Sequence, residues 1–83
     1  MNTWSVYIVK CNDGTFYTGS TNNLINRIQI HNSGKGAKYT RGRLPVILVC
    51  KKSDLSRSEA LSLEAKVKKQ SRDNKIKFLE NFI

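Results

Sequence analysis

The sequence predicts one small α+β domain, with elements in the order β-β-α-β-α-α across residues 1–83. Two runs rich in β-branched and aromatic residues meet at a short glycine-containing turn, which is typical of a hairpin. Three later segments carry apolar residues at helical spacing, and one more strand-like run lies among them. A chain of 83 residues leaves no room for a second domain.

The first two strands are predicted at Trp4–Cys11 and Thr15–Ser20, joined by a turn at 12–14. A three-residue loop with a left-handed Gly14 sets Tyr7 opposite Gly19, and Val9 then faces Tyr17. The two tyrosines then share a face, whereas a two-residue turn puts them on opposite faces. We favour the three-residue loop.

The first helix is expected over Asn23–Asn32, ended by Ser33 and Gly34. Polar residues that cap helices precede it. Its spacing places His31 on the apolar face, with Arg27 beside that face and one turn earlier. Gly19, just before this helix, has no Cβ and lets another group approach the end of the strand. The junction can therefore hold a strand tyrosine beside a helix arginine and a helix histidine.

The segment 34–43 carries four cations, three glycines, one aromatic and no acid. Its glycines predict a mobile loop with one short turn near residues 37–40. One interpretation is a solvated, solubilising charge run; the other is a nucleic-acid contact by phosphate binding and base stacking. The candidate binding residues are Lys35, Lys38, Tyr39, Arg41 and Arg43.

The third strand is expected to begin at Pro45 and continue through the apolar run 46–50. Because this run is apolar throughout, it predicts burial on both faces in the middle of a small sheet. Ser56 and Glu59 then fit a capping box, opening a helix that ends near Lys69. Ser71 is expected to cap a last helix, whose inner side is formed by Ile76, Leu79 and Ile83.

Glu64 lies on the apolar stripe of the predicted second long helix, with Ala60 and Val67. A carboxylate there loses hydration unless something offsets the cost. One interpretation is a residue at the edge of the stripe that pairs with Lys68 one turn later. The other is a ligand for a hard divalent cation.

The charge balance is fifteen Lys and Arg against six Asp and Glu, a net charge of +9. A small domain this basic usually binds a polyanion, most often nucleic acid. No segment resembles a signal peptide or a membrane span, so a cytoplasmic protein is expected. Cys11 and Cys50 match no zinc pattern with the single histidine, and they read as buried reduced thiols.

These residues together resemble the GIY-YIG nuclease domain family over nearly the whole chain. The two name-giving motifs correspond to residues 5–7, Ser-Val-Tyr, and 17–19, Tyr-Thr-Gly. Serine thus replaces the family's glycine, and threonine replaces its isoleucine. Arg27, His31 and Glu64 match the positions of the family's helix arginine, histidine or tyrosine, and metal-binding glutamate. The amino-acid sequence of segment 32–41 looks typical of the small standalone bacterial branch.

The resemblance implies a three-stranded antiparallel sheet flanked by helices, and metal-dependent phosphodiester hydrolysis. A single Mg²⁺ or Mn²⁺ would bind Glu64, and Arg27 would neutralise charge on the scissile phosphate. Tyr17 would accept the proton of the attacking water, Tyr7 would help to place that water, and His31 would orient or relay. Many relatives also carry a polar residue, often asparagine, after the glutamate, and both Asn74 and Asn81 are candidates for it here. From its ordinary pKa, His31 is the better poised base, so both assignments stay open.

The expected partner is nucleic acid, DNA rather than RNA, with no membrane and no small-molecule cofactor. Relatives with this domain commonly carry separate binding domains, so a protein partner or a homodimer is also expected. The alternative function is a non-catalytic, basic nucleic-acid-binding module that keeps the fold. A third, weaker alternative is a basic interaction protein of the ribosome or the membrane surface.

Overall fold

The computed structural model describes residues 2–82, in which three strands and four helices follow one another along the chain. The strands are β1 (Trp4–Lys10), β2 (Phe16–Thr21) and β3 (Ile47–Leu55). The helices are α1 (Leu24–Asn32), α2 (Lys38–Arg41), α3 (Arg57–Lys68) and α4 (Lys75–Glu80). The predicted α+β class is therefore confirmed, with α2 as the short turn expected in the basic segment.

The three strands form one antiparallel sheet in the order β2-β1-β3. In the β1–β2 pair, Tyr7 lies opposite Gly19 and Val9 lies opposite Tyr17. This register confirms the three-residue loop, in which Gly14 has a positive φ of 86° and donates to the Cys11 carbonyl at 3.0 Å. The two tyrosines consequently share one face of the sheet.

The central strand β1 separates two apolar clusters because its alternate side chains point to opposite faces. On the first face, Val6 and Ile8 pack against α3 and α4, chiefly against Leu63 and Leu79. On the second face, Tyr7, Val9, Cys11 and Val46 form a smaller cluster, which Leu24 and Ile28 of α1 cover. The helix that carries Glu64 thus packs on the first face, and the helix that carries Arg27 and His31 packs on the second.

The prediction for β3 is wrong in position and burial. This strand is at the edge of the sheet, and Ile47, Leu48 and Val49 are 64%, 37% and 38% exposed. The middle strand is β1, in which residues 5–9 are all buried. Within the apolar run 46–50, Val46 is buried and Cys50 packs against the first-face cluster, and Leu55 at the end of β3 is buried in that cluster. An apolar run indicates a strand, but it does not tell which strand is paired on both sides.

The caps of the helices follow the sequence, with one exception. Asn23 caps α1 by accepting from the Asn26 amide, and Ser56 and Glu59 form the expected capping box of α3. Ser71, however, does not cap the last helix, whose N-cap is Asn74 without a side-chain hydrogen bond. The Ser71 carbonyl instead accepts from the amides of residues 74 and 75 in the preceding turn. Ile83 lies outside the described residues.

The basic segment 34–43 was expected to be a mobile loop, and the structure instead packs it against the second face. Thr40 is fully buried, and the Arg43 carbonyl accepts from the Asn12 amide at 2.8 Å. Cys11 is buried and Cys50 is half-buried, and both are free thiols. Across residues 2–82, every helix is too short or too polar to cross a membrane.

Candidate active site

A phenol and an imidazole form the centre of the site. The Tyr7 hydroxyl lies 2.9 Å from Nε2 of His31, and both side chains are almost completely buried, 1% and 0% exposed. Gly19 makes this pair possible, because a Cβ there would lie 2.5 Å from the Tyr7 hydroxyl oxygen and 2.6 Å from Cζ. The group expected to approach Gly19 is therefore the ring of Tyr7.

The other ring nitrogen of His31 is bonded to the basic segment. Nδ1 lies 2.9 Å from Oγ1 of Thr40, and that hydroxyl lies 3.0 Å from the Ala37 carbonyl oxygen. A Cβ on Gly36 would lie 2.6 Å from Nδ1 and 2.8 Å from the Cα of His31. The basic segment thus packs closely against His31 at Gly36 and forms a hydrogen bond with it through Thr40.

Tyr17 is the second phenol of the site. Its ring packs edge-on against His31, with centroids 5.4 Å apart, and stacks on the ring of Tyr39 at 5.8 Å. The guanidinium of Arg43 lies over the Tyr39 ring, 4.5 Å from its centroid. Because Tyr17 is half-buried, it is the phenol more open to solvent.

Arg27 supplies positive charge to both phenols from α1. Interactions with Tyr7 and Tyr17 raise the pKa of this guanidinium above its ordinary value. Burial raises the pKa of Tyr7, and the nearby Arg27 charge only partly counteracts that effect. Burial, together with Arg27, lowers the pKa of His31, so the imidazole is neutral at neutral pH. At rest, the site therefore holds a neutral phenol beside a neutral imidazole.

Glu64 reaches the sheet from α3, at the residue that follows Gly19. Its Oε1 accepts from the Ser20 hydroxyl at 2.6 Å, and its Oε2 pairs with Nζ of Lys68 at 2.8 Å. The side chain is 17% exposed. The pair with Lys68, one turn along the helix, is the one that the first interpretation expected, and Glu64 also contacts the tyrosine hairpin; its role as a metal ligand stays a prediction. Its negative charge is near enough to contribute to the raised pKa of Tyr7.

The donor set fits a hard cation that keeps most of its water. Residues 2–82 contain no group of three or more acidic, histidine or cysteine side chains that could hold a metal. Mg²⁺ is commonly bound by one or two carboxylates together with waters and substrate phosphates. Glu64 can serve as that single carboxylate, provided that Lys68 leaves Oε2.

The cations of the basic segment have different environments. Arg43 pairs with Asp13 at 2.7 Å and donates to the Tyr39 carbonyl at 2.9 Å. Lys35, Lys38 and Arg41 have exposed side chains. Tyr39 is 44% exposed while it stacks on Tyr17. Of the candidate binding residues, Tyr39 and Arg43 are therefore built against the site, and the three others face solvent.

A groove that sequence reasoning missed follows the β2 strand beside the site. It has a volume of about 410 Å³ and includes three cations, Lys68, Arg72 and Lys75, together with the rings of Tyr17 and Tyr39. Phe16, Thr15 and Thr18 complete its lining. We call it the basic groove. Its cations come from the α3–α4 junction, where the run Lys68-Lys69 and Arg72 was a visible but unspecific signal.

Two motif departures and two asparagines also have clear positions. Ser5 is buried and donates to the Ser53 hydroxyl at 3.1 Å, whereas the buried Thr18 hydroxyl has no hydrogen-bond partner in residues 2–82. Asn74 and Asn81 line a different cavity, on α4, which none of the five predicted catalytic residues lines.

Comparison with known proteins gives a consistent family assignment. A family model described as the GIY-YIG catalytic domain matches residues 3–77. The chain is 52% identical over 75 residues to a UPF0213 protein of Staphylococcus haemolyticus, covering 90% of this chain and 92% of that protein. It is 49% identical over 74 residues to a UPF0213 protein of Streptococcus pneumoniae, covering 89% and 75%. These names state no activity.

Two solved structures share the fold. The solution NMR structure of a UPF0213 protein from Bacillus halodurans is 48% identical, covers 96% of this chain and 84% of its own, and has a TM-score of 0.58. The solution NMR structure of a protein from E. faecalis is 40% identical, covers 99% and 91%, and has a TM-score of 0.65. Both likenesses extend over the whole sheet and its helices.

Proposed function

Since this chain belongs to the GIY-YIG family, we propose that it is a divalent-metal-dependent endonuclease that hydrolyses phosphodiester bonds of DNA. One observation carries the proposal. The buried Tyr7–His31 pair and the carboxylate of Glu64 touch β2 at neighbouring residues, Gly19 and Ser20. The proton-accepting pair on the second face and the acid on the first are thus held at adjacent residues of one strand, and the Glu64 charge is near enough to contribute to the raised pKa of Tyr7.

Arg27 is the phosphate anchor in this proposal. Its guanidinium interacts with both phenols, so a phosphate bound there is next to the Tyr7 and Tyr17 hydroxyls. A fixed positive charge stabilises the negative charge that develops on the phosphate oxygens in the transition state. Tyr17, the more open phenol, places the attacking water.

The proton of that water passes to His31 through Tyr7. Both side chains are almost completely buried, and the Tyr7 hydroxyl is the hydrogen-bonded neighbour of the imidazole, so a proton reaches His31 through the phenol. Full ionisation of Tyr7 at rest is unfavourable, because the ordinary pKa values of tyrosine and histidine differ by about 3.5 units. The proton therefore moves only as the water attacks, which is general base catalysis. This assignment prefers His31, reached through Tyr7, over Tyr17 as the final proton acceptor.

Glu64 holds the divalent cation. When bound, the metal supplies Lewis-acid stabilisation of negative charge on the phosphate and the leaving oxygen. Ser20 holds Oε1 through a 2.6 Å hydrogen bond and Lys68 holds Oε2 at 2.8 Å, so a bound cation would compete with Lys68 for the carboxylate. Lys68 also lines the basic groove, where it can contact a phosphate.

The DNA backbone follows the basic groove. Lys68, Arg72 and Lys75 provide phosphate contacts, and the exposed Tyr39 ring provides a stacking surface for a base. Lys35, Lys38 and Arg41 extend the positive surface from the basic segment. Arg43 contributes less, because Asp13 already neutralises it.

A non-catalytic nucleic-acid-binding module is the second candidate. The Lys68–Glu64 ion pair favours it, since the lysine satisfies the carboxylate without any metal. Both candidates predict salt-sensitive DNA binding, but only the nuclease requires Glu64 for its effect on the substrate.

Nicking of supercoiled plasmid in Mg²⁺, in Mn²⁺ and in EDTA tests the proposal. We expect nicking only with metal, and a loss of at least about a hundredfold in Glu64→Gln, because metal binding contributes several kcal/mol. Lys66→Gln, on the same helix but outside the site, is the control and should nick at the wild-type rate. Equal nicking by Glu64→Gln would show a contaminant or another mechanism, and DNA binding without any nicking would favour the binding module.

A further inference from the structure

The hydrogen bonds around His31 permit a complete account of its protons. A hydrogen bond uses one proton, so either the phenol donates to Nε2 of His31 or a protonated Nε2 donates to the phenol oxygen. In both cases the phenol proton needs an acceptor. Among the described residues, the hydrogen-bond partner of the Tyr7 hydroxyl is Nε2 of His31, at 2.9 Å.

The opposite arrangement leaves a buried donor without a partner. If Nε2 carried the proton, it would donate to the Tyr7 oxygen. The Tyr7 proton would then point at no acceptor, in a position that is 1% exposed. An unpaired buried donor is costly, and native structures rarely contain one. Nε2 is therefore the unprotonated nitrogen.

The proton of neutral His31 must then lie on Nδ1, which faces Thr40 at 2.9 Å. A threonine hydroxyl has one proton to donate and lone pairs to accept. Because Oγ1 donates to the Ala37 carbonyl at 3.0 Å, it accepts from Nδ1. Thr40 is itself 0% exposed, and water therefore does not compete for this contact.

We propose that Thr40 is a positioning residue, which fixes neutral His31 in the tautomer protonated on Nδ1 and so turns the lone pair of Nε2 toward the Tyr7 hydroxyl. The tautomer is fixed by the side chains alone. Its use in proton transfer rests on the proposed nuclease function. The side chain acts through His31 and touches no reacting atom.

The same arrangement satisfies the state after proton transfer. The O–H bond of Tyr7 breaks and an N–H bond forms at Nε2, while the phenol oxygen takes the proton that the water releases as its oxygen bonds to phosphorus. The result is a neutral phenol and an imidazolium, which donates from Nε2 to the phenol oxygen and from Nδ1 to Thr40. With the opposite tautomer, Nε2 would already be protonated, so it would have no lone pair to accept the Tyr7 proton.

The close contact of Gly36 keeps Thr40 in register with the imidazole. A Cβ at this position would overlap Nδ1 and the backbone of His31. The helix α2 begins two residues later, at Lys38, and Thr40 is its third residue. Sequence periodicity gives no sign of this, because a helix of four residues is too short to show a face.

The tautomer is directly measurable, because the chain has a single histidine. We would record long-range ¹H–¹⁵N correlation spectra of ¹⁵N-labelled protein at about pH 7.5, where His31 is neutral. The expected wild-type pattern is a far-downfield, unprotonated Nε2 and an upfield, protonated Nδ1. Thr40→Ser keeps the acceptor and should keep this pattern. Thr40→Val is nearly isosteric without the acceptor, and it should shift both nitrogens toward the opposite tautomer.

An unprotonated Nδ1 in the wild-type protein would overturn the proposal, as would an unchanged pattern in folded Thr40→Val. Amide spectra report folding, and Thr40→Ala replaces the valine variant if that variant does not fold. In nicking assays, Thr40→Val should lose at least about tenfold in rate and Thr40→Ser should recover it. The expected tautomer in a protein that never nicks DNA would refute the nuclease function and leave the tautomer proposal standing. The opposite tautomer in an active enzyme would refute the tautomer proposal and leave the nuclease function standing.

Discussion

The Tyr7 hydroxyl lies 2.9 Å from Nε2 of His31, although 24 positions separate the two residues in the sequence. The central strand supplies the phenol, and α1 supplies the imidazole. Two glycines are pressed against the pair, Gly19 on the phenol and Gly36 on the imidazole. The pair is consequently both the chemical centre of the site and a packed part of the second face of the sheet.

Gly19→Ala should destabilise the fold by about 1–3 kcal/mol, the usual cost of overpacking a core. The new methyl group would lie 2.5 Å from the Tyr7 oxygen, and the buried, hydrogen-bonded ring has little room to move away. Urea unfolding of the variant and the wild-type protein measures the difference. Gly42→Ala is the control, since nothing lies within 4 Å of its Cβ position and its φ is −93°. Equal stabilities of all three proteins would contradict the close Tyr7 packing.

The free energy of unfolding should decrease as the pH falls below about 6.5, the ordinary histidine value in the unfolded chain. Burial and Arg27 lower the pKa of His31 in the folded state, so the unfolded state binds more protons between the two values. The contribution of His31 to the free energy of unfolding is fully present above its pKa in the unfolded chain. It is lost as the pH falls toward its pKa in the folded protein. The pKa values of Tyr7 and Arg27 are raised, so these two groups keep their charge states in this interval.

Urea unfolding at about pH 7.5 and about pH 5.5 measures this effect, and His31→Gln provides the comparison. The variant should have the flatter profile, because it removes the chain's single histidine. Identical pH profiles for the two proteins would mean that His31 titrates alike in the folded and unfolded chains.

Thr18→Val should stabilise the protein by about 1 kcal/mol, since it replaces a buried hydroxyl without a partner by a methyl group of similar size. For a domain of this length, that corresponds to an increase of about 4–8 °C in Tm. Ser5→Ala is the matched comparison, because the Ser5 hydroxyl does have a partner in Ser53 and its loss should not stabilise. A lower Tm for Thr18→Val would imply that the hydroxyl is satisfied in solution.

Neutralising the basic groove should weaken DNA binding more than removing the same charge elsewhere. We expect Lys68→Gln/Arg72→Gln/Lys75→Gln, assayed in EDTA, to reduce the slope of log K against log salt by about 2–3, close to one unit per lost phosphate contact. The control, Lys51→Gln/Lys66→Gln/Lys77→Gln, removes equal charge outside the groove. Equal slopes for the two triple variants would indicate non-specific attraction by the net charge alone.

Local sequence signals predicted the hairpin and the first helix well. Gly14 has the positive φ that the three-residue loop requires, and the loop length then fixed Tyr7 opposite Gly19. Helical spacing placed His31 on the buried face of α1, where it is found. These features depend on residues close together in the chain, so the sequence contains them directly.

Contacts between distant segments were the part that the sequence could not supply. The apolar run of β3 looked central, yet strand order is decided by pairing with β1. Glu64 was recognised as unusual, but its bond to Ser20 depends on how α3 lies on the sheet. Thr40 carried no signal at all, because its burial results from the packing of a single turn against His31.

A double-mutant cycle on Tyr7 and His31 tests the central claim most directly. The rates of Mg²⁺-dependent single-turnover nicking are compared for Tyr7→Phe, His31→Gln, the double variant and the wild-type protein, with folding checked by amide spectra. If the two groups act as one proton acceptor, each single variant should lose about 10²–10⁴-fold and the double variant little more. Losses that multiply in the double variant, or full activity in Tyr7→Phe, would contradict the account.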